Sequence, residues 1–128
     1  MILTKRCGIA SMYKAQAYFL HNFGMHQIST HEELLSMQQA NKHVICVFSA
    51  EWCEPCQKLK TDLTDFMSTT KNTAWVLVDV DNAERMCAQY NIQQIPRVLF
   101  FTGQHKHCDQ HGLLAEDVEN IAQENNFS

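Results

Sequence analysis

The segment Trp52-Cys53-Glu54-Pro55-Cys56 holds residue types at a spacing that can do chemistry. Two cysteines three positions apart fit either dithiol–disulfide exchange or half of a tetrahedral zinc site. Zinc needs four ligands, and the sequence offers no second Cys-x-x-Cys. Exchange chemistry needs one sulfur ionised and reachable, with a partner held close behind it. The location can supply both. An apolar, β-branched run ends just before Trp52, and an amphipathic pattern begins at Cys56. A helix N-terminus presents unpaired N–H groups and a partial positive charge, so a Cys53 thiolate is favoured there. Pro55 suits the first helical turn, where its missing N–H costs nothing. Cys56 falls on the stripe of Leu59 and Leu63 and is expected to be shielded. The residues therefore predict Cys53 as an exposed nucleophile and Cys56 as the buried resolving thiol.

The elements that must position this pair can be read outward from it. His43–Ser49 is apolar on both faces, as a central strand covered by helices should be. Trp75–Val80 and Arg97–Thr102 read as two further buried strands, and Gly103 turns the latter into a polar strand at Gln104–Gln110. Thr30 with Glu33 makes a capping pair for a helix over about His31–Ala40. Leu59, Leu63, Phe66 and Met67 mark the helix that starts near Cys56. Asp81-Asn82 is placed to cap a short helix over about Ala83–Tyr90, and Leu114–Asn125 forms the last one. With a short strand near Gln27, the order predicts an α/β fold: a central mixed sheet flanked by helices on both faces.

Composition bounds the rest. The chain has 128 residues, 45% of them hydrophobic and 19% charged, which suits one compact core and excludes a low-complexity chain. A net charge of −4 argues against a broad basic face for nucleic acid. The longest strongly apolar run, Val44–Phe48, is far short of the roughly 20 residues a spanning helix needs, so no membrane is expected. Cys46 and Cys87 lie in apolar periodic segments and read as core residues, so the six cysteines suggest a reducing compartment rather than a disulfide framework. Residues 1–31 hold Lys5, Arg6 and Lys14 and no acidic residue, whereas all fourteen Asp/Glu lie beyond. Met12, Ala15, Phe19, Leu20 and Phe23 fall near one helical face. Residues 1–24 are thus expected to be an N-terminal extension, either a targeting presequence or an extra docked helix. The first makes the mitochondrial matrix the alternative to a cytoplasmic location. Cys7 is then exposed or cleaved away.

Ala50-Glu51-Trp52-Cys53-Glu54-Pro55-Cys56 resembles the active-site segment of the thioredoxin family, usually A-x-W-C-G-P-C. Val78-Asp79-Val80-Asp81 is similar to the strand after that family's active-site helix. Ile95-Pro96 before Val98-Leu99-Phe100-Phe101 is similar to its cis-proline segment, and Gly103 and Gly112 match its later glycines. The resemblance covers about residues 25–128. It implies a thioredoxin fold and a monomeric protein-disulfide reductase that needs no metal or organic cofactor. Its substrates would be disulfide-containing proteins, and a flavin-dependent, thioredoxin-reductase-like donor would recycle it. It also implies that a cis Pro96 faces the cysteines, that the Ile95 backbone pairs with an extended substrate, and that Trp52 forms an apolar platform.

Several positions depart from that pattern. Glu54 stands in place of Gly between the cysteines. Val47 replaces a buried Asp that relays a proton to the resolving thiol, and Leu77 replaces its Lys partner. Losing both avoids an unpaired buried charge. Resolution is then left to water or Glu51. Thr61 replaces a kinking proline, which predicts a straighter helix. Arg97 adds a positive charge at the docking surface. His105, His107, Asp109 and His111 share strand parity, which fits either a metal chelate or ordinary polar protection of an edge strand, with Cys108 on the other face. Glu116, Asp117 and Glu119 read as a solvated helix face. Two other functions remain open: a redox-silent docking module, for which the lost Asp/Lys pair is the motive, and a more oxidising disulfide exchanger.

Overall fold

A computed structural model describes residues 24–128. The presequence expectation for residues 1–24, and Cys7 with it, falls almost wholly outside the described residues. The elements in chain order are β1 (His26–Ile28), α1 (His31–Ala40), β2 (His43–Ser49), α2 (Glu54–Thr69), β3 (Thr73–Asp79), a 3-10 turn (Val80–Asn82), α3 (Glu84–Gln89), β4 (Arg97–Thr102), β5 (His105–His111) and α4 (Ala115–Glu124). The five strands form one sheet in the order β1-β3-β2-β4-β5. The β1–β3 and β2–β3 pairs are parallel, whereas β4 runs antiparallel to both β2 and β5. The expected mixed sheet between two helical layers is what forms.

Strand alternation builds the two layers of core. Val44, Cys46 and Phe48 of β2 pack with Leu34 of α1 and Met86 of α3 on one face. Ile45 and Val47 pack with Leu59 and Leu63 of α2 and Val118 of α4 on the other. All seven residues of β2 are buried, which explains why its sequence is apolar without alternation. Burial of each large side chain such as Phe48 or Phe100 contributes about 1.5–3 kcal/mol.

Two boundaries differ from expectation for local reasons. β3 ends at Asp79 rather than Val80, because the Asp79 carboxylate accepts from the Asp81 N–H and starts a 3-10 turn. Asp81 does not cap α3; the residue before that helix is Ala83, with no side-chain cap. Helix α2 passes through Thr61 without a break, in line with the missing proline.

Candidate active site

Helix α2 begins where β2, the central and most buried strand, delivers the chain to the C-terminal end of the parallel strands. Cys53 is its N-cap, and its Sγ accepts from the Cys56 N–H at 3.3 Å. Glu54 and Pro55 fill the first turn and are exposed. Gln57 secures the approach: its side-chain amide donates to the Ala50 carbonyl at 2.8 Å. Cys53 and Cys56 are joined by a disulfide, with Cα atoms 5.3 Å apart. Trp52 lies beside them, half-buried, and its indole N–H donates to the Asp81 carboxylate at 3.0 Å.

Across from the helix start, the Ile95–Pro96 peptide is cis. Ile95 packs into the same apolar cluster as both cysteines. Gly112, at a φ of 73°, donates its N–H to the Pro96 carbonyl at 3.0 Å, so the β5–α4 connection is tied to the proline. The groove between these parts is lined by Pro55, Leu59, Pro96, Leu113 and Leu114, with Lys58 and Asp62 at its rim. Leu114 is 65% exposed there, a large apolar side chain left to solvent.

A disulfide-bonded cysteine pair at a helix N-terminus, opposite a cis-proline, in a β-α-β-α-β-α-β-β-α chain narrows the comparison to one family. The family profile described as Thioredoxin matches residues 25–124. The chain belongs to the thioredoxin family. It is 36% identical over 77 residues to a thioredoxin of Mycoplasmoides gallisepticum, a match covering 60% of this chain and 77% of that protein. It is 31% identical over 98 residues to thioredoxin-1 of Caenorhabditis elegans, covering 77% of this chain and 75% of the relative. Among solved structures, mitochondrial thioredoxin 3 of Saccharomyces cerevisiae superposes with a TM-score of 0.73 at 17% identity, over 84% of this chain and 98% of that one. Like other thioredoxins, the protein is a thiol–disulfide oxidoreductase that reduces disulfides.

The thioredoxin fold brings Trp52, Cys53, Glu54, Pro55, Cys56, Ile95 and Pro96 together at one end of the sheet, but with three corrections to the sequence reading. First, Cys53 is not exposed in this oxidised state; both cysteines have 0% accessible surface. In the disulfide-bonded form the Cys53 sulfur rests against the first turn of α2, where the Cys56 N–H donates to it. Second, Arg97 does not contribute a free charge to the docking surface. Its guanidinium pairs with Asp109, which Lys106 also reaches at 2.9 Å, and these two cations hold the half-buried Asp109 carboxyl below its usual value. Third, the three β5 histidines do not all share a face: the His105 and His107 rings touch, with centroids 4.6 Å apart, but His111 is separated from them. Phe100 pairs with Cys108 but Phe101 with Lys106, so His107 is an inserted bulge residue and parity reverses across it. His105 and Cys108 therefore lie on one face and Asp109 and His111 on the other. Among the described residues no three His, Cys, Asp or Glu side chains gather as a metal would require.

Sequence reasoning missed Lys60. It lies on the stripe Cys56, Leu59, Lys60, Leu63, all buried, and is itself only 3% exposed. Burial pulls its ammonium down to about 8, against opposing attraction from Asp79 and Glu51. A Lys at a core position of an amphipathic helix was the available signal. Val47 and Leu77, by contrast, sit opposite each other in apolar surroundings, as the simultaneous loss of Asp and Lys predicts.

Proposed function

We propose that Cys53 is the attacking sulfur and Cys56 the resolving one in the reduction of protein disulfides. The observation that supports this most is the position of Cys53 as the α2 N-cap, with the Cys56 N–H donating to its sulfur. Hydrogen-bond donors and the helix dipole favour the thiolate at that position. In the reduced protein the Cys53 thiolate attacks a substrate disulfide, forming a mixed disulfide and releasing one substrate thiolate. Cys56 then loses its proton and attacks Cys53, so that the Cys53–Cys56 bond forms and the second substrate sulfur leaves. Two electrons pass to the substrate. A donor resembling a flavin-dependent thioredoxin reductase restores the two thiols. Docking is assigned to the groove of Pro55, Pro96 and Leu114, with Trp52, Glu54 and Ile95 around the sulfur. The protein acts as a monomer.

No described helix is long and apolar enough to cross a membrane. The basic, acid-free residues 1–24 favour a mitochondrial matrix location over a cytoplasmic one if they are removed as a presequence, and the yeast neighbour is itself a mitochondrial protein. N-terminal sequencing of the native protein decides this. An intact Met1 excludes a cleaved leader.

The catalytic assignment is tested by insulin reduction with dithiothreitol. Cys53→Ser is expected to fall to background, and Cys56→Ser to accumulate a mixed disulfide through Cys53. Full turnover by Cys53→Ser, or trapping through Cys56, contradicts the assignment. Failure of the wild type to turn over favours the redox-silent docking module, and a redox potential in the range of oxidising exchangers favours an oxidant.

A further inference from the structure

The buried acid–base pair absent from Val47 and Leu77 has a counterpart two residues further along the same two strands. Val47 pairs with Leu77 across the β2–β3 ladder, and the next pair on that face is Ser49 with Asp79. Both are buried, Ser49 to 1% and Asp79 to 3% exposed, and the Ser49 hydroxyl makes no hydrogen bond. Lys60 comes to the same place from α2, one turn after Cys56 and on its face of the helix. Its ammonium is attracted by Asp79 and Glu51. A buried lysine one helical turn from Cys56 is thus within electrostatic reach of a buried aspartate, whose partner across the ladder carries an unpaired hydroxyl.

We propose that Lys60, balanced by Asp79, is a positioning residue for the resolving step, its buried ammonium setting how readily the Cys56 thiol gives up its proton. This rests on Cys56 being the resolving sulfur. Glu51 from the β2–α2 loop, Asp79 at the end of β3, Asp81 beside Trp52 and Glu84 on α3 are the acids at this end of the sheet. Each opposes ionisation of a nearby thiol, as Asp79, Asp81 and Glu84 do at Cys87. Lys60 acts in the opposite sense. In the step itself the Cys56 proton passes to solvent, and the thiolate forms the Cys53–Cys56 bond as the Cys53–substrate bond breaks. The departing sulfur takes up a proton from water. Because the Lys60 ammonium titrates near 8, its support is present at pH 7 and fades above pH 8.

The test uses the reduced full chain carrying Cys7→Ser and Cys108→Ser, mixed rapidly with an aryl disulfide. One aryl thiolate is released as Cys53 attacks and a second as Cys56 resolves. Lys60→Met is expected to slow the second phase about tenfold at pH 7 and no more than about twofold at pH 9, the loss of one nearby charge. The first phase should change less than threefold. Lys60→Arg, which keeps a cation at every pH, is expected to restore the second phase and flatten this pH dependence. Lys60→Met/Asp79→Asn, which leaves no unpaired buried charge, guards against a folding defect and should slow the second phase at pH 7 by less than Lys60→Met, because the Asp79 charge that opposes ionisation is lost as well. A second phase unchanged in these variants, or slowed equally at pH 7 and pH 9, overturns the proposal. Absence of the first phase in the parent protein overturns the underlying assignment of Cys53, and this one with it.

Discussion

Lys60→Met should remove a specific part of the protein's pH-dependent stability. In the fold the ammonium titrates at about 8, against 10.5 for an exposed lysine. A base whose folded value is depressed binds its proton more weakly in the native than in the unfolded state. Its burial is therefore costly at low pH, and stability rises as the pH climbs through the folded value. Integrating the proton difference from pH 7 to pH 8.5 gives a gain of about 0.8 kcal/mol for wild type that Lys60→Met lacks. Other groups work against this at higher pH. Burial raises Cys87 to about 11 and Tyr90 to about 12, and pushes up the Cys46 thiol. Such groups stabilise the fold below their unfolded values and lose that effect above, which is why the window stops at 8.5. The assay is urea unfolding of the oxidised protein at both pH values, wild type against variant. With a slope of about 1–3 kcal/mol per molar urea, the two midpoint differences should diverge by roughly 0.3–0.8 M. Parallel curves for the two proteins would refute a desolvated Lys60.

Two more outcomes follow from the core. Val47→Asp places a carboxylate among Ile45, Leu63, Leu77 and Val98 and is expected to cost about 3–5 kcal/mol in urea unfolding at pH 7; a loss under 1 kcal/mol would mean the site already solvates charge. His43 is 3% exposed, stacks on Phe127 and bonds the Thr102 hydroxyl at 3.0 Å, and burial with Lys42 and His107 nearby holds its imidazole below 6.5. Stability tied to His43 is present above about pH 6.5 and falls as acid titrates it, so thermal unfolding should drop between pH 7 and pH 5, and less so in His43→Gln. An equal drop in both proteins would assign the effect elsewhere.

Much of this was legible because the relevant signals are local. The span of β2 follows from an unbroken apolar run, that of α1 from the Thr30–Glu33 cap, and the place of Cys53 from a strand ending before a Pro-containing helix start. What escaped depends on contacts distant in sequence or on a single inserted residue. The His107 bulge defeats any count of alternate positions. Asp81 looked like a helix cap and instead anchors Trp52, 29 residues away. Arg97 looked like a surface charge until its cross-strand neighbour Asp109 was in place. The sequence showed the loss of one buried pair, but only the β2–β3 register placed Asp79 next along from Leu77, and only the packing of α2 buried Lys60 within reach of its charge.

Exchange at this pair depends most on an asymmetry between two sulfurs that the disulfide conceals. Site-resolved alkylation of the freshly reduced protein at pH 7, read by mass spectrometry, measures it directly. Cys53 should be modified at least tenfold faster than Cys56, as expected of a thiolate favoured at a helix terminus ahead of a shielded partner. Equal rates, or protection of both sulfurs, would contradict it.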